Sequence, residues 1–367
     1  MRSGGRITLE SALPAETCSV NPADSHTATS AQAGFSCPIC TAQQLQPLHA
    51  FNSEQAAEAF VPLRRDPGRH EALRKNIEGL WNGSTCQIAQ CSECQFVFPV
   101  PYVSGTPEFY DLAYGTPSYP ENRWEYDRAI TLSSRVGAAD SRRVLELGAG
   151  TGHFVKRLLH EARIPAVRIV ATEYTSHSVA ALQSFGVDAR AASVLELQDV
   201  PQNANSFDVI FAFQSLEHMS NVIEVICGLK RMLKPGGVAI VSVPNGKAIE
   251  FNERYVGCLD LPPNHVGRWY KESFEALANR TGLELVAHEV EPVHYLQLFK
   301  DVMISRIHGA GTSNPRSLAG RVQAVQNRPL RRVLSAIVGT FELLPLLPKV
   351  FKLDSGYAQL AVLRKPS

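Results

Sequence analysis

The stretch Val144–Phe154 reads V-L-E-L-G-A-G-T-G-H-F, an apolar run followed by three glycines at every second position. The apolar run predicts a short buried strand, and the residues after the last glycine predict a helix. A glycine-rich turn between a strand and a helix lets backbone N–H groups come close to a nucleotide-like ligand. Gly148, Gly150 and Gly152 are therefore the first candidate binding residues.

Two acidic residues end predicted strands close to these glycines. Glu146 ends the first strand and can hold an ammonium group, whereas Glu173 ends the next strand and can accept hydrogen bonds from both hydroxyls of a ribose. The dinucleotide pattern G-x-G-x-x-G does not fit, because the third glycine comes one residue too early. The spacing E-x-G-x-G-x-G instead favours a nucleoside ligand that carries an amino-acid tail.

Two cysteine pairs have the spacing of zinc ligands. Cys37 and Cys40 form one C-x-x-C pair, and Cys91 and Cys94 form the other. Together they predict a four-thiolate site whose metal is structural, because it has no open position, and whose binding supplies folding energy. A redox role for either pair would need a thioredoxin-like βαβ unit, which the sequence does not contain. Cys86 is a possible substitute ligand.

Four segments position these residues. Residues 1–34 are rich in Ser, Ala, Thr and Pro and predict a disordered leader, and residues 35–100 form the predicted zinc ribbon. Residues 101–120 are rich in Pro, Gly and Tyr and predict an ordered linker that covers the cofactor. Residues 121–367 alternate strands and helices, which predicts an α/β domain with a parallel sheet. A mainly helical insertion is expected at about 296–355.

Within the α/β domain, hydrophobic periodicity places each element. The predicted helices are 121–136, 153–162, 178–184, 221–233 and 271–280. The predicted strands are 143–147, 167–172, 187–191, 207–213, 238–243, 283–290 and 357–364. The sequence Lys-Pro-Gly-Gly at 234–237 is expected to end a helix before the fifth strand.

The composition limits the function classes. The formal net charge is +1, which gives no overall electrostatic signal for nucleic acid, and 44% hydrophobic residues exclude wholesale disorder. The beginning of the chain lacks a secretory pattern, and paired cysteines suit a reducing compartment, so a cytoplasmic location is expected.

Glu342, Pro345 and Pro348 interrupt the apolar stretch 333–351, which predicts a core or lid helix and no transmembrane segment. Peripheral membrane contact is the alternative for this stretch.

Four ordered motifs over residues 121–295 resemble those of class I S-adenosylmethionine-dependent methyltransferases: V-L-E-L-G-A-G-T-G, A-T-E-Y, S-F-D-V-I-F-A-F-Q-S-L-E-H-M and L-K-P-G-G-V-A-I-V-S-V-P-N. The resemblance implies a Rossmann-like seven-stranded sheet with helices on both faces and an antiparallel last strand. It implies that the glycine loop binds S-adenosylmethionine and that Glu173 holds its ribose. Ser193 and Val194 would flank the adenine, and Gln214 would lie beside the methionine tail.

The run C-S-E-C-Q-F-V-F-P-V-P that begins at Cys91 resembles the zinc-ribbon prefix of a bacterial methyltransferase subgroup, in which glycine usually stands where this chain has Gln95. That subgroup includes sugar C-methyltransferases and similar natural-product enzymes. The resemblance implies that the acceptor is a small molecule or a glycan precursor, methylated at carbon or oxygen.

Two histidines are candidate catalytic bases. Methyl transfer is a displacement at a sulfonium carbon, and a base near pH 7 assists when the acceptor atom carries a proton. His218 follows the fourth predicted strand of the domain, and His265 lies in P-P-N-H-V-G-R-W-Y. The sequence does not choose between them. Glu217 is expected to orient His218 or to cap the next helix.

Three tyrosines are expected to cover the cofactor or to pack structurally: Tyr110, Tyr114 and Tyr119.

Two other functions stay open. The chain is an RNA or protein modification enzyme if the ribbon presents a basic face, or a cofactor-binding scaffold if the intact loop binds without turnover. Five cations between the cysteine pairs are the basis for a basic face: Arg64, Arg65, Arg69, Arg74 and Lys75.

Overall fold

The computed structural model describes residues 35–114, 120–256, 260–300, 302–303, 307, 318–353 and 355–367. These residues contain a three-stranded sheet near the N-terminus and a seven-stranded sheet in the remainder. The predicted leader, residues 1–34, and Tyr119 lie outside the described residues.

The small sheet is antiparallel and carries both cysteine pairs near its strand ends. Its strands are β1 (Leu45–Asn52), β2 (Thr85–Cys91) and β3 (Val97–Val100). The long segment between β1 and β2 contains helices α1 (Ser53–Phe60) and α2 (Pro67–Trp81), and α3 (Pro107–Ala113) follows β3. These three helices share a hydrophobic core with β1 and β2, so the segment between the cysteine pairs is a folded unit and not an open loop.

The large sheet has the strand order β6-β5-β4-β7-β8-β10-β9. Its strands are β4 (Val144–Leu147), β5 (Ile169–Thr172), β6 (Asp188–Arg190), β7 (Phe207–Phe213), β8 (Leu233–Pro244), β9 (Glu284–Val290) and β10 (Ala358–Arg364). The first five strands of the order are mutually parallel, and β10 is antiparallel to both of its neighbours. The predicted seven-stranded Rossmann-like sheet with an antiparallel last strand is confirmed.

Helices cover both faces of this sheet. The helices of this part of the chain are α4 (Trp124–Ser133), α5 (His153–His160), α6 (Ser176–Gln183), α7 (Val194–Gln198), α8 (Val222–Met232), α9 (Gly246–Phe251), α10 (Lys271–Thr281), α11 (residues 295–300), α12 (Leu318–Gln323), α13 (Arg328–Leu343) and α14 (Leu347–Val350). One face packs on α4, α5 and α6, and the other packs on α7, α8 and α10. Because neighbouring strand residues point to opposite faces, Val144 belongs to the first core and Leu145 to the second.

The structure places the start of β8 earlier than its predicted start at residue 238. Helix α8 ends at Met232 as expected, but β8 begins at Leu233 and includes the Lys-Pro-Gly-Gly sequence. A Cβ at Gly237 would lie 2.9 Å from the Lys234 carbonyl oxygen and 3.0 Å from that of Phe207. The glycine is therefore needed for close packing of the first part of β8 on β7 rather than for a helix stop.

The C-terminal apolar stretch is also less interrupted than its sequence suggests. Helical residues run from Arg328 to Val350, and by length and composition alone this helix could cross a membrane, which is weak evidence for a span. Pro345 and Pro348 each lie in the first turn of a new helical segment, where the missing N–H costs no hydrogen bond. The prolines thus divide the stretch into three helical segments, as expected, but these segments follow one another without a loop.

Candidate functional site

The glycine loop connects β4 to α5 at the carboxyl edge of the large sheet. Gly148, Gly150 and Gly152 have φ angles of +64°, +55° and +84°, a region that residues with a Cβ rarely adopt. A Cβ at Gly152 would lie 2.6 Å from the ring of Phe185. The sequence therefore needs glycine here both for backbone conformation and for close approach.

Glu173 is attached directly to this loop. Its side-chain oxygens accept hydrogen bonds from the Gly150 N–H at 2.7 Å and the Tyr174 N–H at 2.9 Å. Carboxylate oxygens have further lone pairs, so Glu173 can still accept hydrogen bonds from a ligand hydroxyl.

Glu146 lies buried beneath the loop, with 2% of its surface exposed. Burial, followed by the charge of Glu173, raises the pKa of Glu146 well above its usual value. Its Oε2 atom has no hydrogen-bond partner among the described residues. A cationic group on a ligand would bind the unpartnered oxygen of this carboxyl and favour its ionised form. A ligand with an ammonium group fits this requirement.

The residues expected around the adenine and the methionine tail have mainly structural contacts here. The hydroxyl of Ser193 caps α7 by accepting the Glu196 N–H, and Val194 is buried against α8. Gln214 has a φ angle of +49° just after β7, and its side-chain amide donates to Glu125 at 3.3 Å. Their ligand-binding roles stay predictions.

His218 and His265 come together, with ring centroids 4.7 Å apart. The Nδ1 of His218 donates to the Asn264 carbonyl at 2.9 Å, and the Tyr110 hydroxyl lies 3.2 Å from the same nitrogen. This bond leaves Nε2 of His218 as an acceptor. Burial, then the nearby charge of His265, lowers the pKa of His218 to about 4, so this ring is neutral at pH 7.

His265 has a partner that the sequence analysis missed. Its Nδ1 forms a short hydrogen bond with the carboxylate of Asp260, and Arg268 donates to the Asp260 carbonyl at 3.2 Å. Burial acts to lower the pKa of His265, but the charge and hydrogen bond of Asp260 outweigh it and raise the pKa above the usual value. The Nε2 atom of His265 thus belongs to a histidine–aspartate pair of the kind that accepts protons. An acidic residue five positions before a histidine was the available sequence signal.

Glu217 is the third member of this cluster. It is 1% exposed, burial raises its pKa to about 7, and its Oε2 has no hydrogen-bond partner among the described residues. One ligand atom each from Glu217, His218 and His265 lies within 4.8 Å of the others, so the three residues could also hold a metal ion. Glu217 does not cap a helix, which was one of its expected roles.

The four predicted zinc ligands meet at one point. The sulfurs of Cys37 and Cys94 are 3.5 Å apart, those of Cys40 and Cys91 are 3.4 Å apart, and all four lie within 4.8 Å. Four thiolates around one zinc ion at about 2.3 Å need sulfur separations slightly below 4 Å, so the cluster fits the metal. Cys86 is buried in the core of α1 and α2, outside this cluster, and is not a substitute ligand.

The turn after each cysteine pair has a left-handed residue at its end. Thr41 and Gln95 follow the second cysteine of each pair and have φ angles of +64° and +59°. The N–H of each closes the turn on the carbonyl of the pair's first cysteine. Glycine adopts this conformation most cheaply, so Thr41 and Gln95 adopt it at some conformational cost.

Comparisons with known proteins agree with this geometry. Residues 122–288 match the family described as "Methyltransferase domain". A probable S-adenosylmethionine-dependent methyltransferase of Mycolicibacterium smegmatis is 31% identical over 34% of this chain and 47% of its own length. A ubiquinone biosynthesis O-methyltransferase of Marinobacter nauticus is 30% identical over 38% of this chain and 60% of its own length.

Other similar proteins differ in substrate. A tRNA U34 carboxymethyltransferase of Hydrogenovibrio crunogenus is 28% identical over 36% of this chain and 42% of its own length. A solved phosphoethanolamine N-methyltransferase 2 of Haemonchus contortus in complex with S-adenosyl-L-methionine covers 70% of this chain and 56% of its own, at 19% identity and a TM-score of 0.41. The chain spans about half the length of the curated relatives it matches.

The strand order and the glycine loop define a Rossmann-like fold, and residues 122–288 of it match the methyltransferase domain family.

Proposed function

We propose that this protein transfers a methyl group from S-adenosylmethionine to carbon or oxygen of a small molecule or glycan precursor. The observation that carries the proposal is the His265–Asp260 pair, whose imidazole lies against that of His218. Ser215, three residues before His218, has its hydroxyl oxygen 3.4 Å from the position of a Cβ at Gly148 in the glycine loop. A proton acceptor near a methyl-donor site suits an acceptor atom that loses a proton on methylation.

The residues of the loop fit the donor at both of its ends. Glu146 would hold the ammonium of the methionine tail, because its buried Oε2 is without a partner. Glu173 would accept hydrogen bonds from the ribose hydroxyls while keeping its contact with Gly150. S-adenosylmethionine supplies a methyl group activated by a sulfonium sulfur.

We assign the role of base to His265 and a positioning role to His218. The pKa of His265 is raised, so Nε2 binds a proton firmly, whereas the pKa of about 4 for His218 makes it a weak base. The neutral Nε2 of His218 can instead accept a hydrogen bond from the acceptor. Orientation of this kind contributes to rate by holding the acceptor at attack distance in a site with little water.

A cavity of about 940 Å³, lined in part by Arg268, is the proposed acceptor site. It lies between β1 of the ribbon and the residues after β8, and two of its lining residues, Glu253 and Arg268, bond to each other. Arg268 also contacts Asp260, which joins the cavity to the catalytic pair. The cavity has five basic lining residues and two acidic ones, a balance that favours an acceptor with phosphate groups such as a nucleotide sugar. The basic residues are Lys247, Arg254, Arg268, Lys349 and Lys352.

A structural zinc ion in the four-cysteine cluster is part of the proposal. Ser273 donates to the Cys94 carbonyl at 2.8 Å, and Arg280 donates to the Pro38 carbonyl at 2.7 Å, so α10 of the methyltransferase domain binds the outside of the cluster. The metal would thereby hold β1 in place as a wall of the acceptor cavity. Because the ligands must be reduced thiolates, we also keep the cytoplasmic location as a proposal.

Ion pairing makes an RNA-binding ribbon the weaker alternative. Arg74 of α2 contacts Glu71 at 2.8 Å and Glu78, and Lys75 contacts Glu71 at 3.5 Å. Acidic neighbours neutralise these two of the five cations and reduce their value for phosphate contacts. A cofactor-binding scaffold is disfavoured by the partly buried histidine–aspartate pair, which a scaffold would not need.

The first test is calorimetric titration of the zinc-loaded full chain with S-adenosylmethionine and, separately, with NAD. We expect micromolar binding of S-adenosylmethionine and no heat with NAD. Glu173→Ala should weaken binding about a hundredfold, because two charge-assisted hydrogen bonds to the ribose are lost. Asp188→Asn is the matched control, since Asp188 is exposed on the neighbouring β6 and pairs with Arg190, and it should bind like the wild type.

Folded wild-type protein that does not bind S-adenosylmethionine would refute the proposed function. If it binds, release of S-adenosylhomocysteine in the presence of nucleotide sugars tests the acceptor class. Turnover with RNA but not with any small acceptor would instead support the polymer alternative.

A further inference from the structure

The helical segment Arg328–Val350 lies on the protein surface with little of it covered. Only 22% of the residues in its most apolar stretch are buried. Five large apolar side chains on α13 and just after it are about half or more exposed: Leu330 (50%), Val333 (57%), Ile337 (49%), Phe341 (67%) and Leu344 (52%). Their spacing of three or four residues puts them on one face of the helix.

The opposite face of the same segment is packed on the domain. Leu343 and Val350 are buried in a cluster with Leu298 and Val302, and Val338 is buried against Val322 of α12. The segment is therefore apolar on two faces, and only one of them is used by the fold. Contiguous exposed apolar surface of this kind is uncommon on a soluble monomer and marks an interaction site.

Cations flank this exposed face at both ends. Arg328 and Arg332 are exposed at its beginning, and Lys349 and Lys352 are exposed at its end. Glu342 is the acidic residue of residues 328–353 and is half-buried. The exposed apolar face thus carries positive charge at its ends and no exposed acid in the described segment.

Aromatic residues extend the face beyond the helix. Phe351 is 59% exposed, and its ring centroid lies 5.6 Å from that of Tyr295 on α11. Leu296, which follows Tyr295 in the chain, is 79% exposed. Tyrosine and phenylalanine at the rim of an apolar face are typical of the membrane–water interface.

From these contacts we infer that the exposed face of residues 328–351 binds the surface of an anionic lipid membrane, with the helix parallel to that surface. The apolar side chains enter the boundary between headgroups and acyl chains, while Arg328 and Arg332 contact lipid phosphates. A transmembrane orientation would require the removal of Leu343 and Val350 from the domain core. A second copy docked on this face would bring like charges together in either direction of the helix.

Sedimentation of the full chain with lipid vesicles tests this inference. We expect binding to vesicles of 30% phosphatidylglycerol in phosphatidylcholine and little binding to phosphatidylcholine alone. The double variant I337S/F341S should reduce binding to anionic vesicles at least about tenfold, since two anchoring side chains are lost. R328Q/R332Q should reduce it by roughly the same factor and lower its salt dependence. Val167→Ser removes an 86% exposed apolar residue elsewhere and should change nothing.

Three outcomes would overturn the inference. Equal binding to neutral and anionic vesicles would show that charge plays no part. Absence of binding to both would exclude a lipid membrane as the partner of this face. A dimer in solution that I337S/F341S converts to a monomer would identify a second copy as the occupant. Circular dichroism and the thermal midpoint check that the variants fold, and because vesicle binding needs no methyl acceptor, its failure is distinct from failure of the proposed function.

Discussion

Cys91→Ser is expected to remove zinc from the protein and to unfold the small N-terminal sheet. Cys91 ends β2, and its sulfur lies 3.4 Å from that of Cys40, so the substitution opens the four-thiolate cluster. Sites of this type contribute on the order of 10 kcal/mol of binding energy to folding, far more than any other single contact of the ribbon. The wild type should contain one zinc per chain by elemental analysis, and the variant close to none.

The loss should extend into the methyltransferase domain. Cys37, Cys91 and Cys94 belong to the same hydrophobic core as Leu145 and Trp269, so a disordered ribbon uncovers one face of the large sheet. We expect the thermal midpoint to fall by roughly 10 °C or more. Cys86→Ser is the matched control, because Cys86 is a buried thiol outside the cluster, and its zinc content should be unchanged. Full zinc content in Cys91→Ser would contradict the four-cysteine site.

His265→Asn is expected to lower kcat with a productive acceptor by about 10²- to 10⁴-fold while the affinity for S-adenosylmethionine stays unchanged. Asparagine keeps a polar group near Asp260 but cannot accept the proton. Asp260→Asn should cost somewhat less, because the imidazole remains but loses the partner that orients it and supports its charge. Steady-state kinetics and calorimetry on the same preparations separate the two quantities.

The pH dependence identifies which histidine acts. The base must be unprotonated, so kcat should rise with pH through the raised pKa of His265, above 6.5. In Asp260→Asn, this rise of kcat should occur at lower pH, because no carboxylate remains to stabilise the imidazolium. His218, with a pKa of about 4, stays neutral over this pH range and should cause no further change in kcat. Nuclear magnetic resonance titration of the two rings gives both pKa values without any acceptor.

A rate that depends on His218→Asn but not on His265→Asn would reverse the assignment of the base. A profile unchanged in Asp260→Asn would show that the pair does not control the proton. Restoration of activity by added divalent cation after gentle chelation that leaves the zinc in place would instead favour a metal at Glu217, His218 and His265.

The elements of the sheet and the glycine loop could be predicted because they depend on neighbours in the chain. β7 runs from Phe207 to Phe213 as its apolar periodicity indicates, and α10 ends one residue beyond its predicted limit. Gly148, Gly150 and Gly152 have positive φ angles, which glycine adopts at little cost because it has no Cβ. The Lys-Pro-Gly-Gly sequence correctly predicted the end of α8, but β8 begins before it, because Gly237 allows close contact with β7.

The sequence by itself determined the class of fold, the loop that would hold the donor and the two cysteine pairs, since each is recorded in short-range spacing. Only the tertiary structure decided that these pairs meet, because α1 and α2 fold the long segment between them into a compact unit. It alone distinguished His265 from His218, since the pKa of each depends on burial and on partners such as Asp260 and Asn264. It also decided that one apolar face of α13 is buried and the other exposed. Periodicity marks both faces as hydrophobic, but only packing determines which of them the domain covers.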